Sequence, residues 1–219
     1  MSLDAPTSLI ASIRTGAISL GVFAVITAAA ISLTYVAGSD SIAANKAAAK
    51  ARALSAVMPP HLYDQSLLSS PRKLVDYAQL NLSSEAIGYA AVKANETLAI
   101  VLPVIAKDGY SGDISLLVGI DQHGVIQGVR AIEHRETPGL GDKVERKKSP
   151  WVDSFNGRSL TNTPLDDWAV IKDGGVFDGF TGATITPRAV VNAVHQGLLY
   201  HQQQHSALYS ALDSDTQEN

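Results

Sequence analysis

Cysteine is missing altogether. That absence removes disulfide frameworks, Fe–S clusters held by thiolates, and cysteine nucleophiles. If electrons pass through this chain, an organic cofactor has to carry them. Basic charge is scarce as well: 17 Lys and Arg stand against 21 Asp and Glu, for a net charge of -4. The only basic run is Arg146-Lys147-Lys148, too short for a phosphate-backbone surface, so no nucleic-acid partner is expected. No Gly-Lys-Ser/Thr follows a glycine turn, which excludes a phosphate loop of the nucleotide-hydrolysing kind. At 219 residues the chain can hold one domain of ordinary size and an anchor, not two full domains.

Long apolar runs, by contrast, are present. From Gly16 to Ala37 the chain reads without a single charge, long enough at about 1.5 Å per residue to cross a hydrocarbon core of about 30 Å. A cleavable signal peptide competes for this N-terminal, Ala-rich segment, but its core is typically only about 7–15 residues. Residues 1–15 are read as a short tail and 16–37 as a single transmembrane helix in contact with lipid. Lys46, Lys50 and Arg52 follow the span while only Arg14 precedes it, so a simple positive-inside count puts the rest of the chain in the cytoplasm. Long domains translocate largely regardless of such counts.

Residues 38–60 are rich in Ala, Lys and Arg, with Ser39 or Ser41 available as a cap, and run into Pro59-Pro60; they predict a helical stalk. Residues 61–86 have mixed periodicity and predict a helix-or-loop cover. Four β-like runs follow: 87–94, 98–106, 114–120 and 125–134, the last two joined through Asp121-Gln122-His123-Gly124 as a hairpin. Residues 168–172 read as a short strand, and 187–206 as a helix with Val190, Val191, Val194 and Leu198 on one stripe. Without a repeat or linker inside it, 87–206 is expected to be one α+β domain, an antiparallel sheet plus helices, ending in a disordered polar tail at 207–219.

Two segments hold more Gly, Thr and acid than a fold requires. In Asp178-Gly179-Phe180-Thr181-Gly182-Ala183-Thr184-Ile185-Thr186-Pro187, Thr186 suits an N-cap and Pro187 a first helical position. The free N–H groups of that helix start suit a phosphate, and Gly179 and Gly182 let the backbone come close. A capped turn with no ligand satisfies the same residues, and turn chemistry alone favours it. The second segment is Glu133-His134-Arg135-Glu136-Thr137-Pro138-Gly139-Leu140-Gly141-Asp142, whose Pro-Gly pair predicts a tight loop at a strand end. His134 and Glu136 lack the further ligands of a metal site, and Glu133, His134 and Asp142 lack the nucleophile or carboxylate pairing of a hydrolase.

Together these strings resemble the FMN-binding domain family. D-G-F-T-G-A-T followed by Ile-Thr is similar to that family's flavinylation motif, which places the acceptor on Thr184, and the H-R-E-T-P-G-L-G loop agrees. Within the family the wording is nearer to the G subunits of Rnf-type electron-transport complexes than to the C subunits of sodium-translocating NADH:quinone reductases; the match covers roughly 88–201 and the N-terminal anchor. The resemblance implies FMN joined through a phosphoester to Thr184 by a flavin transferase that takes it from FAD. It implies a motif formed by Asp178, Thr181, Gly182 and Ala183, with the E-T-P-G-L-G loop then expected as a ring surface, Leu140 packing on it and Glu136 or Thr137 at its polar edge. Lys172, ahead of the motif, reads equally as a neutraliser of phosphate or a reduced ring and as a solvated strand-end lysine. It also implies a single-pass protein of the bacterial inner membrane with its flavin domain on the periplasmic side, against the charge count. Its partners would be other membrane, Fe–S and flavin subunits that link ferredoxin or NAD to ion movement or reduce a redox-sensing regulator. The expected role is electron carrier rather than stand-alone enzyme. A membrane-anchored sensor or assembly module that holds FMN without a covalent bond is the alternative.

Overall fold

The computed structural model describes residues 5–83 and 86–210 and divides into two compact units, 1–49 and 50–219. The described residues of the first unit are all helical: α1, Ala5–Val57, starts there and ends in the second. Within α1, Ser12–Leu33 has a mean hydropathy of 2.1 and is unburied, which by length and composition suits a membrane crossing. Residues 5–15, expected as a tail, are helical, and the helix passes Gly38 without a break. Residues 1–4 and the last nine residues of the expected polar tail, 211–219, lie outside the described residues, whereas 207–209 are helical.

In the second unit an antiparallel meander of five strands runs in sequence order: β1 Pro71–Lys73, β2 Ile87–Lys93, β3 Glu96–Ala106, β4 Ile114–Asp121 and β5 Ile126–Glu133. Alternate residues of a strand face opposite sides. Ile100, Leu102 and Val104 join Leu116, Val118 and Ile120 in one core, while Ala99, Val101 and Leu117 join Tyr89 and Ala91 in another. Because both faces are covered, β3 and β4 read as continuous apolar runs instead of alternating ones. The first face carries α2, Ile185–Gln203, through Val190, Val191, Val194 and Leu198, the stripe that the sequence indicates. The second is covered by Leu54 and Val57 from the end of α1, by Met58 just after it, and by Leu67.

Backbone packs on backbone at that second face. Gly119 and Gly128 are cross-strand partners, and a Cβ on them would fall 2.3 Å and 2.9 Å from the Val57 carbonyl oxygen. Only glycine permits α1 to end that close to the sheet.

Several expectations are corrected. The 61–86 segment is not only a cover: 3-10 turns at 60–62, 67–69 and 77–80 flank β1, which adds a fifth strand beside β2. Residues 168–172 form no strand; 3-10 turns at Leu165–Asp167 and Ile171–Asp173 occupy the region, and only Val170 bridges Phe177. Long irregular backbone between β5 and α2 is organised instead by aromatic packing. Phe155 stacks on Phe177 at 4.6 Å, and Trp168 lies between Phe177 and His195 at 5.5 Å and 5.3 Å.

A short helix, α3, His205–Tyr209, follows α2. Tyr209 Oη lies 2.9 Å from His201 Nε2 and 3.4 Å from the Ile120 carbonyl. Burial, reinforced by neighbouring His205 and opposed by Asp121, pushes the His201 imidazole down to about 4. The native state therefore refuses a proton that the unfolded chain accepts near pH ~6.5. Stability from this group is whole above that pH and is lost as pH falls from there toward 4. Thermal melting from neutral pH to about pH 4.5 should show a progressive loss reaching about 2–3 kcal/mol; a pH slope unchanged in His201→Phe would exonerate His201.

Candidate flavin site at the open end of the sheet

Three connections meet at the end of the sheet where β3 turns into β4 and β5 leaves. After β5, the Thr137 carbonyl accepts the N–H groups of Leu140 and Gly141, both at 3.1 Å, while Asp142 Oδ1 accepts Gly139 N–H at 2.8 Å. This is the rigid Pro-Gly loop expected from the sequence. His134 Nδ1 accepts the Glu136 N–H at 3.2 Å, so its Nε2–H donates to Glu145 Oε1 at 3.1 Å. Both ring nitrogens are thus engaged, neither with the Glu136 carboxylate.

That carboxylate turns inward. Glu136 is 4% exposed; Oε1 accepts Ser111 N–H from the β3–β4 loop at 2.9 Å, and Oε2 accepts the Thr186 hydroxyl from the first turn of α2. A Cβ on Gly141 would lie 2.6 Å from Oε2, so that glycine is what lets the loop close over the pair. Glu136 was expected at the edge of a bound ring, but here it ties three segments together from below.

The Gly-Thr motif lies across this base. Trp151 Nε1 donates to the Asp178 carbonyl at 2.7 Å, and Phe180 is buried edge-on against the Trp151 ring at 4.9 Å. Ala183 N–H closes a turn onto the Phe180 carbonyl at 3.0 Å, with Gly182 at a φ of 80°; a side chain there would be strained. Asp178, Thr181 and Gly182 are exposed, and Ala183 and Thr184 half-buried. Leu140, 43% exposed, reaches within 3.5 Å of where a Gly182 Cβ would stand, so the two sequence segments touch. Thr137 is exposed on the same loop and Ile185 at the helix start.

The helix start differs from the expectation by two residues. Thr184, not Thr186, is the N-cap, with φ -73° and ψ -25° and no capping bond from its side chain. Thr186 lies inside the helix, fully buried, and Pro187 is its third residue, where an N–H would still have no helical acceptor. Lys172 is exposed in the 3-10 turn 171–173, not on a strand. Its neighbour Asp173 grips Arg188 through two contacts of 2.5 Å, which holds the Asp173 carboxyl below and the Arg188 guanidinium above its usual range. Arg188 was missed at sequence level; its spacing four residues after Thr184, on the same helix face, was the available signal.

Cavities of 600 Å³ and 170 Å³ open among Asn95, Thr97, Gln122, His123 and His205 and among Gly124, Ser159 and His201. They lie toward the β2–β3 and β4–β5 turns, the opposite end of the meander, and no motif residue lines them. The motif itself is an open surface strap on a rigid base.

Two family descriptions match this chain: the FMN-binding domain over residues 109–199, and the RnfG N-terminal region over 1–57. The first match places residues 109–199 in the FMN-binding domain class. Similar over nearly the whole length are proteins named as the G subunit of an ion-translocating oxidoreductase complex. The one from Vibrio cholerae is 42% identical across 90% of this chain and 95% of its own. Those of Pseudomonas aeruginosa and Erwinia tasmaniensis are 43% and 41% identical across 86% of this chain and 88% and 90% of theirs. The chain belongs to this family of G subunits. Its residues would suit FMN: the Thr184 hydroxyl makes no capping bond at a helix start suited to phosphate, the Gly182 turn permits close approach, and Leu140 and Ile185 are exposed for apolar contact.

The indole bond anchors the strap. Trp151→Phe keeps most of the packing but strands the Asp178 carbonyl, and should lower the melting temperature by about 2–4 °C, the effect of one lost hydrogen bond of about 1 kcal/mol. An unchanged melting temperature would show that water replaces the indole without cost.

Proposed function

We propose that the chain is a membrane-anchored electron-transfer subunit carrying FMN through a phosphoester on Thr184, working within an Rnf-type ion-translocating complex. One observation carries the attachment site: Thr184 occupies the N-cap without making the capping bond, so its oxygen is left for another partner at the positive end of a helix. The FMN-binding family match and the G-subunit relatives support the cofactor and the setting. Attachment is a phosphoryl transfer. The Thr184 oxygen bonds to the FMN phosphorus of FAD, the pyrophosphate bond breaks, AMP leaves, and the hydroxyl proton passes to a base of a flavin transferase. Asp178, Thr181, Gly182 and Ala183 form the recognised strap, Thr137 and Leu140 contact the ring, and Arg188 or Lys172 balances phosphate charge once Asp173 shares its partner.

An open strap makes sense of a covalent link, since a flavin on a surface without an enclosing pocket would be lost by dilution unless tethered. The FMN supplies one- and two-electron redox chemistry. Around it the ionisable groups Glu136 and His134 are consumed in holding the loop, which favours a carrier over an enzyme with a second substrate. Donors and acceptors are then the other membrane, Fe–S and flavin subunits, joining ferredoxin or NAD chemistry to ion movement or to reduction of a regulator. Residues 16–37 anchor the chain in the inner membrane, with the flavin domain on the periplasmic side despite Lys46, Lys50 and Arg52.

Two measurements test this reading. Full-length protein made with a flavin transferase should gain one FMN-sized mass and fluoresce on a denaturing gel, and Thr184→Val should lose both; fluorescence retained in Thr184→Val, or absent from the unmutated chain, rejects the attachment. Fusion of a compartment reporter after Asn219 should read periplasmic, and a cytoplasmic signal would overturn the orientation.

A further inference from the structure

We infer that Thr186 and Glu136 form a positioning pair that sets the acceptor for flavin attachment, acting through the helix start and not by touching the cofactor. This rests on the reading of Thr184 as the acceptor. The motif's third threonine, Thr186, then has a role distinct from capping: its hydroxyl is donated inward to a buried carboxylate.

Thr186 is 0% exposed and Glu136 4%, so this hydrogen bond to a charged acceptor lies out of water, where such bonds are strong and directional. Thr186 is two residues from Thr184, and N-cap and first turn share a continuous backbone. Fixing the Thr186 side chain therefore fixes the backbone from which Thr184 presents its oxygen. The other carboxylate oxygen holds Ser111 N–H at 2.9 Å, which ties the same point to the β3–β4 loop. Gly141 closes the third side, with no room for a methyl group beside Oε2. Group transfer to a hydroxyl is sensitive to such placement: an error of about 1 Å can cost about a hundredfold in rate. The strap above is exposed and turns at Gly182, so it cannot provide this rigidity alone.

The test is the rate of FMN addition to the full-length chain in detergent, given a purified flavin transferase and FAD and followed by intact mass, with melting temperature measured in parallel. Thr186→Val keeps the shape and removes the donor; it should slow labelling about tenfold or more. Thr186→Ser keeps the donor and should label within about threefold of the unmutated chain. Gly141→Ala disturbs the pair from the loop without substituting a helix residue, its methyl pressing on Glu136 Oε2 at 2.6 Å and on the Thr186 hydroxyl at 3.0 Å, and should slow labelling as Thr186→Val does. If Thr186→Val does not accumulate, Gly141→Ala decides.

Rescue by serine with a melting temperature close to that of Thr186→Val separates positioning from general stability. Equal rates for the unmutated chain and Thr186→Val, or equal slowing in Thr186→Ser and Thr186→Val, overturn the inference while leaving Thr184 as the acceptor. An unmutated chain that takes no FMN overturns the acceptor reading and this one with it.

Discussion

A carboxylate removed from water has to be fully matched or it is not tolerated, and much of the site follows from meeting that demand at Glu136. The matching groups come from three places in the chain: an amide of the β3–β4 loop, a hydroxyl of the first turn of α2, and the glycine that lets the Pro-Gly loop pass. None of them could be present unless the meander had already brought its open end together with the start of α2. The sheet thus supplies the scaffold and the carboxylate supplies the register between its loops. The motif rests on that base and on the Trp151–Phe180 contact beside it.

What rests on the base is exposed, and this shapes the chemistry. Pocket-bound cofactors owe their retention to buried area. A strap such as Asp178–Gly182 offers little, since Asp178, Gly179, Thr181 and Gly182 are all open to solvent. Retention through the proposed bond instead of through burial would leave a ring edge available to a partner's redox centre, as an electron carrier requires. The structure of the strap and the proposed linkage are therefore two sides of one compromise between holding the flavin and exposing it.

Sequence reading succeeded where a single local rule decides the outcome. The runs that became β2 to β5 lie within two residues of their observed ends, and the α2 stripe is the one predicted, because continuous apolar runs and a 3.6-residue period are strong signals. It failed where tertiary contacts decide. Residues 168–172 have strand-like composition, but their backbone partners are turns around Phe177 and Trp168. β1 is three residues long and exists only because β2 offers an edge. Thr186 looked like a cap because Ser and Thr are good caps and Pro187 follows; the buried acid fifty residues earlier in the chain that claims its hydroxyl has no local signature. Glu136 reads from sequence as a polar ring contact and points inward in the structure, since sequence does not reveal which way a loop carboxylate points.

The domain boundary shows the same limit in another form. Composition suggests a domain of 87–206 with a helical stalk ahead of it, yet the compact unit begins at Lys50. Leu54, Val57 and Met58 are at most 2% exposed and cover Tyr89, Val101 and Leu117, so the last turns of α1 belong to the domain's core. Removing them would leave that face of the sheet only to Leu67 and its neighbours Leu62, Tyr63 and Leu68, and would leave the Gly119–Gly128 pair, shaped for a backbone carbonyl, facing water. The two glycines are the trace of this in the sequence. Each is a poor strand former, and their occurrence directly opposite one another in adjacent strands makes sense only if another backbone lies against them.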